Sequence, residues 1–417
     1  MALNTDYSKS AKQRLPIVKT QFPVAVVGGG MVGAAIALGL SALDIEVALI
    51  DPGGLNTATP PKCNDAHSFD PRVSALTLAS EKLLRELNVW AEIEPYSLRY
   101  TDMDVWDSAG SGRIVFSSAE VYESSLGLIV ENRVVTSALH KRIAERSNIH
   151  VIKDQVRALK PDASGYSLET GSGETVSCRM LVGADGALSR IRQWLHIPTR
   201  EWDYGQQAIV ATTTTARPHD FTARQRFLPT GPLALLPLLD QDQNYRCSSI
   251  VWSADSTEAD RLMELDDASF KATLFDASEQ ALGEVVDISR RFAFPLRQRH
   301  AKRYFDGGAV LIGDAAHTIH PLAGQGVNLG FEDVAALLDE ARRALGRSIP
   351  LGHEEMLRRY QRRRQAGNLS MMTLMEAFKR GFGHPSPMIA GVRNAGLTLV
   401  NKTPFIKKEL IRQAMGV

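Results

Sequence analysis

The hydrophobic pattern begins with a short apolar run that ends directly in glycine. Residues 24–27 are continuously apolar and are followed by Gly28, which is typical of a buried parallel strand. Residues 31–43 are rich in Ala and Leu and contain no proline, so they predict a helix. Residues 46–50 predict a second strand that closes on Asp51. The pattern therefore predicts one βαβ unit at the start of the chain.

The pattern changes character twice further along the chain. Between residues 207 and 253, strand-like runs separated by Gly, Pro and Asp predict a separate, largely antiparallel sheet. A predicted strand at 309–312 and a helix from about residue 325 restore the βαβ character, and the chain beyond about residue 351 predicts helix. The other predicted elements are strands at 104–106, 114–116, 128–130, 151–152 and 180–182 and helices at 80–90 and 134–147.

Composition narrows the class of protein. The 417 residues are 44% hydrophobic and 23% charged, with a formal net charge of +1, which is typical of globular domains and does not favour nucleic-acid binding. The three cysteines form no CxxC pair, so the sequence predicts neither a metal site nor a redox disulfide. No signal peptide and no apolar run of membrane-spanning length occur. We therefore expect a cytoplasmic protein, with peripheral membrane contact left open.

The first turn of the βαβ unit carries a dinucleotide-binding pattern. Gly28, Gly30 and Gly33 provide the tight turn, the close approach to a diphosphate and the close packing of helix on strand. Helix N–H groups at Met31 and Val32 would face the negative charge. Asp51 lies where a carboxylate can bind the ribose hydroxyls. These residues predict a bound dinucleotide but do not distinguish FAD from NAD.

Two later segments resemble motifs of the aromatic-ring flavoprotein monooxygenases related to p-hydroxybenzoate hydroxylase. The run Gly313-Asp314 with the following glycine-rich loop is similar to the second FAD motif of that family, and Asp185-Gly186 is similar to its internal Asp-Gly motif. The resemblance implies that Asp314 holds a ribityl hydroxyl, and that the loop and helix after it lie beside the pyrimidine edge of the flavin. The loop residues implied in FAD binding are Pro321, Gly324, Gln325, Gly326, Val327 and Asn328.

The similarity narrows to one branch of that family, the ubiquinone-biosynthesis hydroxylases of the UbiH, UbiF and UbiI types. Segments 69–76, 130–134, 231–238 and 313–330 resemble this branch. Within it, segments such as 105–107, 202–204, 218–220, 249–253 and 410–416 are most similar to the 2-polyprenylphenol hydroxylases of the UbiI type. A sibling hydroxylase that acts on another ring carbon is the nearest alternative.

The resemblance implies the fold, the domains and the reaction. We expect an α/β fold in which a Rossmann-like FAD-binding domain of the p-hydroxybenzoate hydroxylase type is joined to a mixed or antiparallel-sheet substrate domain and a C-terminal helical region. The implied reaction uses NAD(P)H and O2 to hydroxylate a polyprenylated phenol through a flavin C4a-hydroperoxide, converting 2-polyprenylphenol to 2-polyprenyl-6-hydroxyphenol. The predicted boundaries are a flexible tail at 1–22, the FAD-binding domain at 23–98, 130–203 and 292–350, the substrate sheet at 99–129 and 204–291, and helices at 351–417.

Further site residues follow from the resemblance and from residue type. Arg72 and Arg133 match positions near the flavin or its phosphates in relatives, with a surface or ion-paired arginine as the alternative, and Val156 is a further predicted cofactor-binding residue. His317 and His320 flank the flavin loop and are candidates for handling a proton, with local capping as the commoner role of such histidines. The predicted substrate residues are Tyr204, Leu236, Pro237 and Trp252, on an apolar sheet that core packing would explain equally well.

Partners and other enzyme classes complete the set of hypotheses. The chain has no second strand-GxGxxG-helix unit, so we expect one resident FAD and a transient NAD(P)H. The resemblance implies an assembly for ubiquinone synthesis in which a lipid-carrying partner delivers the polyprenyl tail. Five arginines between Arg358 and Arg364 predict either a solvated helix face or a contact with anionic lipid or a partner. An isoprenoid flavin reductase and a non-catalytic FAD scaffold are the less favoured alternatives.

Overall fold

The first βαβ unit forms where the hydrophobic pattern predicts it. The protein is described by a computed structural model that covers residues 20–110, 112–163, 165–318, 326–382, 401 and 403–416. Strand β1 spans Thr20–Val27, helix α1 spans Met31–Ser41 and strand β2 spans Val47–Ile50. β1 and β2 run parallel. Every residue of β2 is buried, which explains its continuous apolar run.

The remaining elements follow in chain order. The strands are β3 Val73–Leu76, β4 Leu98–Tyr100, β5 Asp102–Asp107, β6 Arg113–Ser117, β7 Gly127–Glu131, β8 Ile149–Ile152, β9 Val156–Asp162, β10 Gly165–Thr170, β11 Thr175–Gly183, β12 Thr199–Thr215, β13 Thr222–Leu228, β14 Gly231–Pro237, β15 Cys247–Asp255, β16 Val285–Ile288, β17 Phe292–Ala301, β18 Phe305–Asp306, β19 Ala309–Leu311 and β20 His317–Thr318. The helices are α2 Leu78–Glu86, α3 Trp90–Ile93, α4 Asn132–Ala144, α5 Arg190–Trp194, α6 Ser256–Glu264, α7 Asp267–Ala277, α8 Gly326–Leu345, α9 Glu354–Phe382 and α10 Pro404–Met415.

The parallel sheet brings three distant turns to one edge. Its strands lie in the order β18-β19-β11-β1-β2-β8, with the antiparallel hairpin of β9 and β10 attached to β11. β1 ends at Val27 opposite Gly183 of β11, and Gly183 lies opposite Leu311 of β19. Because these strands are parallel, the turns that follow them meet at the carboxyl edge of the sheet, where ligands bind in open α/β folds. Helix α1 packs against the strands β1 and β2 of this sheet and lies in contact with both α4 and α8.

The second sheet is long, nine-stranded and mainly antiparallel. Its order is β20-β17-β12-β15-β14-β13-β5-β6, and β16 pairs with the far end of β12. One face is covered by α6 and α7, where Phe270 and Leu274 pack with Leu233 and Ile250. The opposite face packs towards the three-stranded sheet β3-β7-β4 and the C-terminal helix α10. The two faces therefore have different roles, which the alternation of side chains along each strand decides.

Several sequence predictions are refined by the structure. Residues 20–22, which the sequence places in the tail, pair with 176–178 as the beginning of β1, and residues 1–19 lie outside the described residues. The predicted helix at 80–90 is divided into α2 and α3. Strand β17 pairs with β12 in the antiparallel sheet although it lies within the predicted FAD-binding segment. The domain boundaries stay a prediction. Within the described residues, no helix is long and apolar enough to cross a membrane.

Candidate active site

The glycine loop after β1 has the backbone that its three glycines predict. Gly28 has φ +106°, and a Cβ there would lie 2.3 Å from the carbonyl oxygen of Ala184. A Cβ on Gly33 would lie 1.9 Å from the carbonyl oxygen of Gly28, so α1 packs directly on the turn. Around Gly30, by contrast, a Cβ would meet nothing within 4 Å. Two glycines thus allow close packing, and the third leaves one side of the loop open.

Asp51 and His140 both hold the backbone of Gly29 in this loop by hydrogen bonds. The Asp51 carboxylate accepts hydrogen bonds from Gly29 N at 2.6 Å and Gly53 N at 2.8 Å. His140 Nδ1 accepts from Asn56 N at 2.8 Å, so the proton of the neutral ring lies on Nε2, which donates to Gly29 O at 2.7 Å. His140 is buried on α4 and is a loop-positioning residue that sequence reasoning missed. No local signal could have found it, because Gly29 is 111 residues away.

The Asp-Gly turn lies beside the glycine loop. One Asp185 carboxylate oxygen caps the helix that follows by accepting from Arg190 N at 2.7 Å, and the other is buried without a hydrogen-bond partner among the described residues. Gly186 has φ +79°. Arg192 is buried and donates to Ala187 O at 2.9 Å and to Ala315 O at 2.8 Å. Arg192 therefore ties the Asp-Gly turn to the turn that carries Asp314.

The third turn places Asp314 at the same edge of the sheet, and we call the region that the three turns border the cofactor cleft. A short 3₁₀ helix spans Gly313–Ala315, and Gly313 has φ +57° with Val32 of α1 packed beneath it. The Asp314 side chain is accessible to solvent, yet the protein around it desolvates the carboxyl group and raises its pKa. Val32 thus joins the first FAD motif to the second, and Asp314 presents an oxygen to the shared cleft.

A buried polar network lies behind this turn. Asp333 on α8 is fully buried, and its Oδ2 accepts from Gly313 N at 2.9 Å and lies 2.6 Å from His317 Nε2. Its Oδ1 accepts from Arg364 Nε of α9 at 2.6 Å. Burial by itself would raise the Asp333 pKa, but His317 and Arg364 outweigh burial and hold it below its ordinary value. The network fixes the backbone that carries Asp314.

These contacts bear on the two histidines that the sequence proposes for proton handling. His317 is 2% exposed and its Nε2 is engaged by Asp333. This placement favours a positioning role, and a proton-handling role for His317 stays a prediction. His320 lies outside the described residues, as do Pro321, Gly324 and Gln325.

The first residues of α8 have either no side chain or a side chain that packs into the protein. A Cβ on Gly326 would meet nothing within 4 Å, and Val327 packs against the main core. The Asn328 amide is buried: it donates to Ala75 O at 2.8 Å and accepts from Ser80 Oγ at 2.7 Å. The Asn328 side chain therefore joins α8 to the segment around α2.

The other predicted cofactor residues have varied surroundings. The Arg72 guanidinium is exposed and lies 5.5 Å from the centroid of the Phe294 ring. Arg133 is half-buried, forms an ion pair with Glu131 at 2.7 Å and donates to Ser68 O at 2.9 Å. Val156 is buried at the beginning of β9. The Arg72 guanidinium lies beside Phe294 of the antiparallel sheet, whereas Arg133 holds the loop that contains Ser68. Their contacts with FAD stay predictions.

Strand register separates the predicted substrate residues onto two faces. Trp252 is 3% exposed and its ring lies 6.0 Å from that of Phe270 on α7, so its side chain belongs to the helix-covered core. Its placement does not support a role in substrate binding. Leu236 points to the opposite face, in the cluster with Ala75. Pro237 is buried beside Ser248, and the Tyr204 hydroxyl donates to Gln298 at the β12 bulge.

An apolar row on the inner face was missed by sequence reasoning. Ala234, Val251, Val210 and Phe292 are directly opposite one another across four adjacent strands, so they share one face. Ala234 packs in the cluster that contains Ala75, which shows that this face looks towards the three-stranded sheet. The last three are only half-buried. We call these four residues the inner row. The alternation of side chains along each strand could have indicated this row. Apolar residues occupy both faces of these strands, however, so the sequence does not distinguish one face from the other.

The geometry of the three turns fits FAD. α1 begins without a side-chain cap and without an acidic residue in its first turn, so its N–H groups are available to a diphosphate. Gly30 leaves space there, and the Asp185 oxygen that has no partner among the described residues lies at the same edge as the accessible carboxylate of Asp314. Among the described residues, no group of His, Cys, Asp or Glu could hold a metal ion.

Comparison with known proteins agrees with this geometry. The model of the FAD binding domain family matches residues 21–373. The chain is 34% identical over 396 residues to 3-demethoxyubiquinol 3-hydroxylase of Escherichia coli (strain K12), covering 94% of this chain and 98% of that protein. It is 33% identical over 394 residues to ubiquinone hydroxylase UbiL of Rhodospirillum rubrum, covering 94% and 89%. The structure of p-nitrophenol 4-monooxygenase PnpA from Pseudomonas putida DLL-E4 superposes with a TM-score of 0.74 at 16% identity, covering 95% and 99%.

The fold and the site define an FAD-dependent monooxygenase. The chain belongs to the FAD binding domain family, and its relatives are hydroxylases of ubiquinone biosynthesis. The predictions of FAD as cofactor and of the p-hydroxybenzoate hydroxylase type of fold are confirmed. NAD(P)H and O2 are the cosubstrates typical of this class.

Proposed function

We propose that the protein hydroxylates the ring of a polyprenylated phenol in ubiquinone biosynthesis, converting 2-polyprenylphenol to 2-polyprenyl-6-hydroxyphenol. The inner row is the observation that carries the choice of substrate class. It presents Val210, Val251 and Phe292 half-buried and uncharged on the sheet face that looks towards the three-stranded sheet β3-β7-β4. An apolar wall of this kind suits a prenylated ring, because burying each additional methylene stabilises binding by about 0.8 kcal/mol.

The residues of this chain would act by binding and orientation. The α1 N-terminus would hold the diphosphate, Asp51 the adenosine ribose and Asp314 the ribityl chain. When bound, FAD supplies the oxygen-transfer chemistry of the class. Arg192 and Asp333 keep the turns of the cofactor cleft in place through Ala315 O and Gly313 N. The inner row would exclude water from the ring and set its position, which supports hydroxylation without requiring an assigned general base.

A sibling reaction at another ring carbon is the second candidate. The similarity to 3-demethoxyubiquinol 3-hydroxylase favours it. The test incubates the FAD-saturated protein with NADH or NADPH, O2 and either a short-chain 2-prenylphenol or a short-chain 3-demethoxyubiquinol analogue. We expect substrate-dependent oxygen uptake with a product 16 mass units heavier, about one oxygen atom, from the prenylphenol. A hydroxylated product from the demethoxyubiquinol analogue alone would favour the sibling reaction, and oxidation without any hydroxylated product would refute both.

Val251 provides a sharper test of the inner row. Val251→Asp should raise the KM for a prenylphenol by at least about tenfold, because a charge would face the bound tail. Thr257→Asp, at an exposed position in the first turn of α6, is a control with the same charge change. FAD content should be unchanged in both variants. An equal KM for the two variants would contradict the assignment of this face to substrate.

We also propose that the protein works within an assembly in which a lipid-carrying partner presents the substrate. Two exposed aromatic side chains near α10 support a contact surface: Phe405 is 82% exposed and Tyr122 is 89% exposed. Phe405→Ser should reduce turnover of a long-chain substrate presented by such a partner and leave turnover of a free short-chain prenylphenol unchanged. Equal turnover of the presented substrate by the variant and the parent protein would count against this surface.

A further inference from the structure

The arginine-rich part of α9 is divided by its ion pairs. Arg358 pairs with Glu354 at 2.5 Å, Arg359 with Glu355 at 2.9 Å, Arg363 with Asp339 at 2.8 Å and Arg364 with Asp333 at 2.6 Å. Arg362 differs from these four, because it has no carboxylate partner among the residues that the structure describes. Four of the five arginines are therefore explained by contacts within the protein, whereas the charge of Arg362 is not balanced by any residue that the structure describes.

Arg362 lines a surface pocket with two further cations. The pocket has a volume of about 630 Å³ and is lined by Arg200, His300, Lys302, Arg362, Gln365, Ala366 and Leu369. None of the described lining residues is acidic, and Arg200 and Lys302 also have no ion pair within the described part of the chain. Burial, with the nearby charges of His317 and Arg200, lowers the pKa of His300 to about 4, so the ring is neutral at pH 7. The pocket therefore concentrates three positive charges.

Contacts between backbone and side chain hold the walls of this pocket together. Arg200 of β12 is directly opposite His300 of β17, which places their side chains on the same face. Gln365 of α9 donates to Lys302 O at 3.0 Å. The neighbouring Gln361 accepts from Tyr304 N at 2.7 Å. The cations are thus brought together by the packing of α9 on the end of β17, rather than by side chains that happen to extend into solvent.

We propose that this pocket binds the phosphate group of a small organic phosphate ester. Three cations that share one concavity, with no carboxylate among its described lining residues, repel one another, and a phosphate with two negative charges relieves that repulsion. The planar guanidinium groups of Arg200 and Arg362 can each donate two hydrogen bonds to phosphate oxygens. The volume is in the range of small-molecule sites and exceeds the need of a bare phosphate.

The organic part of the ligand would lie on the apolar side of the pocket. Leu369 is 48% exposed, and Ala366 is exposed beside it. Two sources provide this chemistry: the phosphate groups of a nicotinamide dinucleotide and the headgroup of an anionic phospholipid. The proposal does not depend on the identity of the phenol substrate, because the pocket lies outside the three turns of the FAD cleft.

The test measures anion binding to the FAD-saturated full-length protein, so that the cofactor's own phosphate site is filled. Calorimetric titration with inorganic pyrophosphate should show binding that weakens about tenfold in Arg362→Gln and in Arg200→Gln, since each variant loses a charge-assisted pair of hydrogen bonds. Arg363→Gln is the matched control: it removes the same charge one residue away, from a side chain that pairs with Asp339. Its affinity for pyrophosphate should equal that of the parent protein.

Two further titrations identify the source of the phosphate. Binding of NADP⁺ that is lost in Arg362→Gln would assign the pocket to a dinucleotide. Binding to phosphatidylcholine vesicles only when they contain phosphatidylglycerol, with the same loss in Arg362→Gln, would assign it to lipid. The proposal is overturned if the parent protein does not bind pyrophosphate at millimolar concentration, or if Arg363→Gln loses as much affinity as Arg362→Gln.

Discussion

Replacing Asp333 by Asn should destabilise the protein and weaken FAD binding together. Asp333 is fully buried and accepts from Gly313 N at 2.9 Å and from Arg364 Nε at 2.6 Å, with His317 Nε2 at 2.6 Å. Asn has the same shape but carries no charge, and its amide nitrogen cannot accept a hydrogen bond. The substitution therefore leaves the buried guanidinium of Arg364 without its main counter-charge in this network and removes one acceptor from the Gly313 turn.

The expected magnitude follows from these contacts. A hydrogen bond to a charged group contributes about 1.5–3 kcal/mol, and three such bonds converge on one carboxylate. The sum is reduced because the buried carboxylate itself is costly to desolvate. Breaking a buried ion pair by removing one partner typically costs about 3–5 kcal/mol, and we expect the free energy of unfolding to fall by that amount.

Urea denaturation followed by tryptophan fluorescence measures this loss, and flavin fluorescence measures the FAD dissociation constant. Asp339→Asn is the control, because Asp339 pairs with Arg342 and Arg363 on the exposed side of α8. Exposed pairs contribute little, so Asp339→Asn should change the free energy of unfolding by less than about 1 kcal/mol and leave FAD affinity unchanged. An equally small effect of Asp333→Asn would refute the reasoning.

The same carboxylate should make stability depend on pH in acid. The Asp333 pKa in the folded protein is below its ordinary value. The unfolded chain therefore binds the proton more readily, and the stabilisation is present above the unfolded value of about 3.9. It is lost as pH falls through the lower folded pKa. Urea midpoints measured between neutral pH and acid should converge for the parent protein and Asp333→Asn at the acid end.

Three further predictions concern the cofactor cleft. Gly33→Ala should weaken FAD binding at least about tenfold, because its Cβ would lie 1.9 Å from Gly28 O; unchanged affinity in a fluorescence titration would contradict this packing. Asp314→Ala should leave the purified protein without stoichiometric FAD, whereas full flavin absorbance would count against its role. His140→Phe should raise the FAD dissociation constant about tenfold, because the hydrogen bond to Gly29 O is lost, and His140→Gln should recover part of the lost affinity. Equal FAD dissociation constants for the parent protein and His140→Phe would disprove the positioning role.

Much of the parallel sheet could be predicted because its strands are buried on both faces. Continuous apolar runs at β1, β2 and β19 identify such strands without knowledge of their neighbours. The hairpin of β9 and β10 was not predicted, and neither were α6 and α7. The residues of β9 are mostly half-buried or exposed, so their pattern carries little signal. α6 and α7 come directly after residues 207–253, for which the sequence predicts only strands.

The antiparallel sheet shows where sequence patterns stop being informative. Trp252 and Val251 are adjacent, and both are compatible with a buried apolar strand. Only the strand register shows that Trp252 faces Phe270 and that Val251 faces the three-stranded sheet β3-β7-β4. Because a strand has a period of two, one residue decides between helix-covered core and candidate substrate wall.

The sequence by itself determined the cofactor, the family and the three turns that form the cleft. Those features depend on local backbone: glycine at a positive φ, a strand that ends there and a helix that begins there. The tertiary structure decided which side chains meet across the chain. It pairs His140 with a carbonyl 111 residues away and leaves Arg362 unpaired among the described residues, beside Arg200 and Lys302. Such partners depend on how helices and sheets pack against each other, which no local pattern encodes.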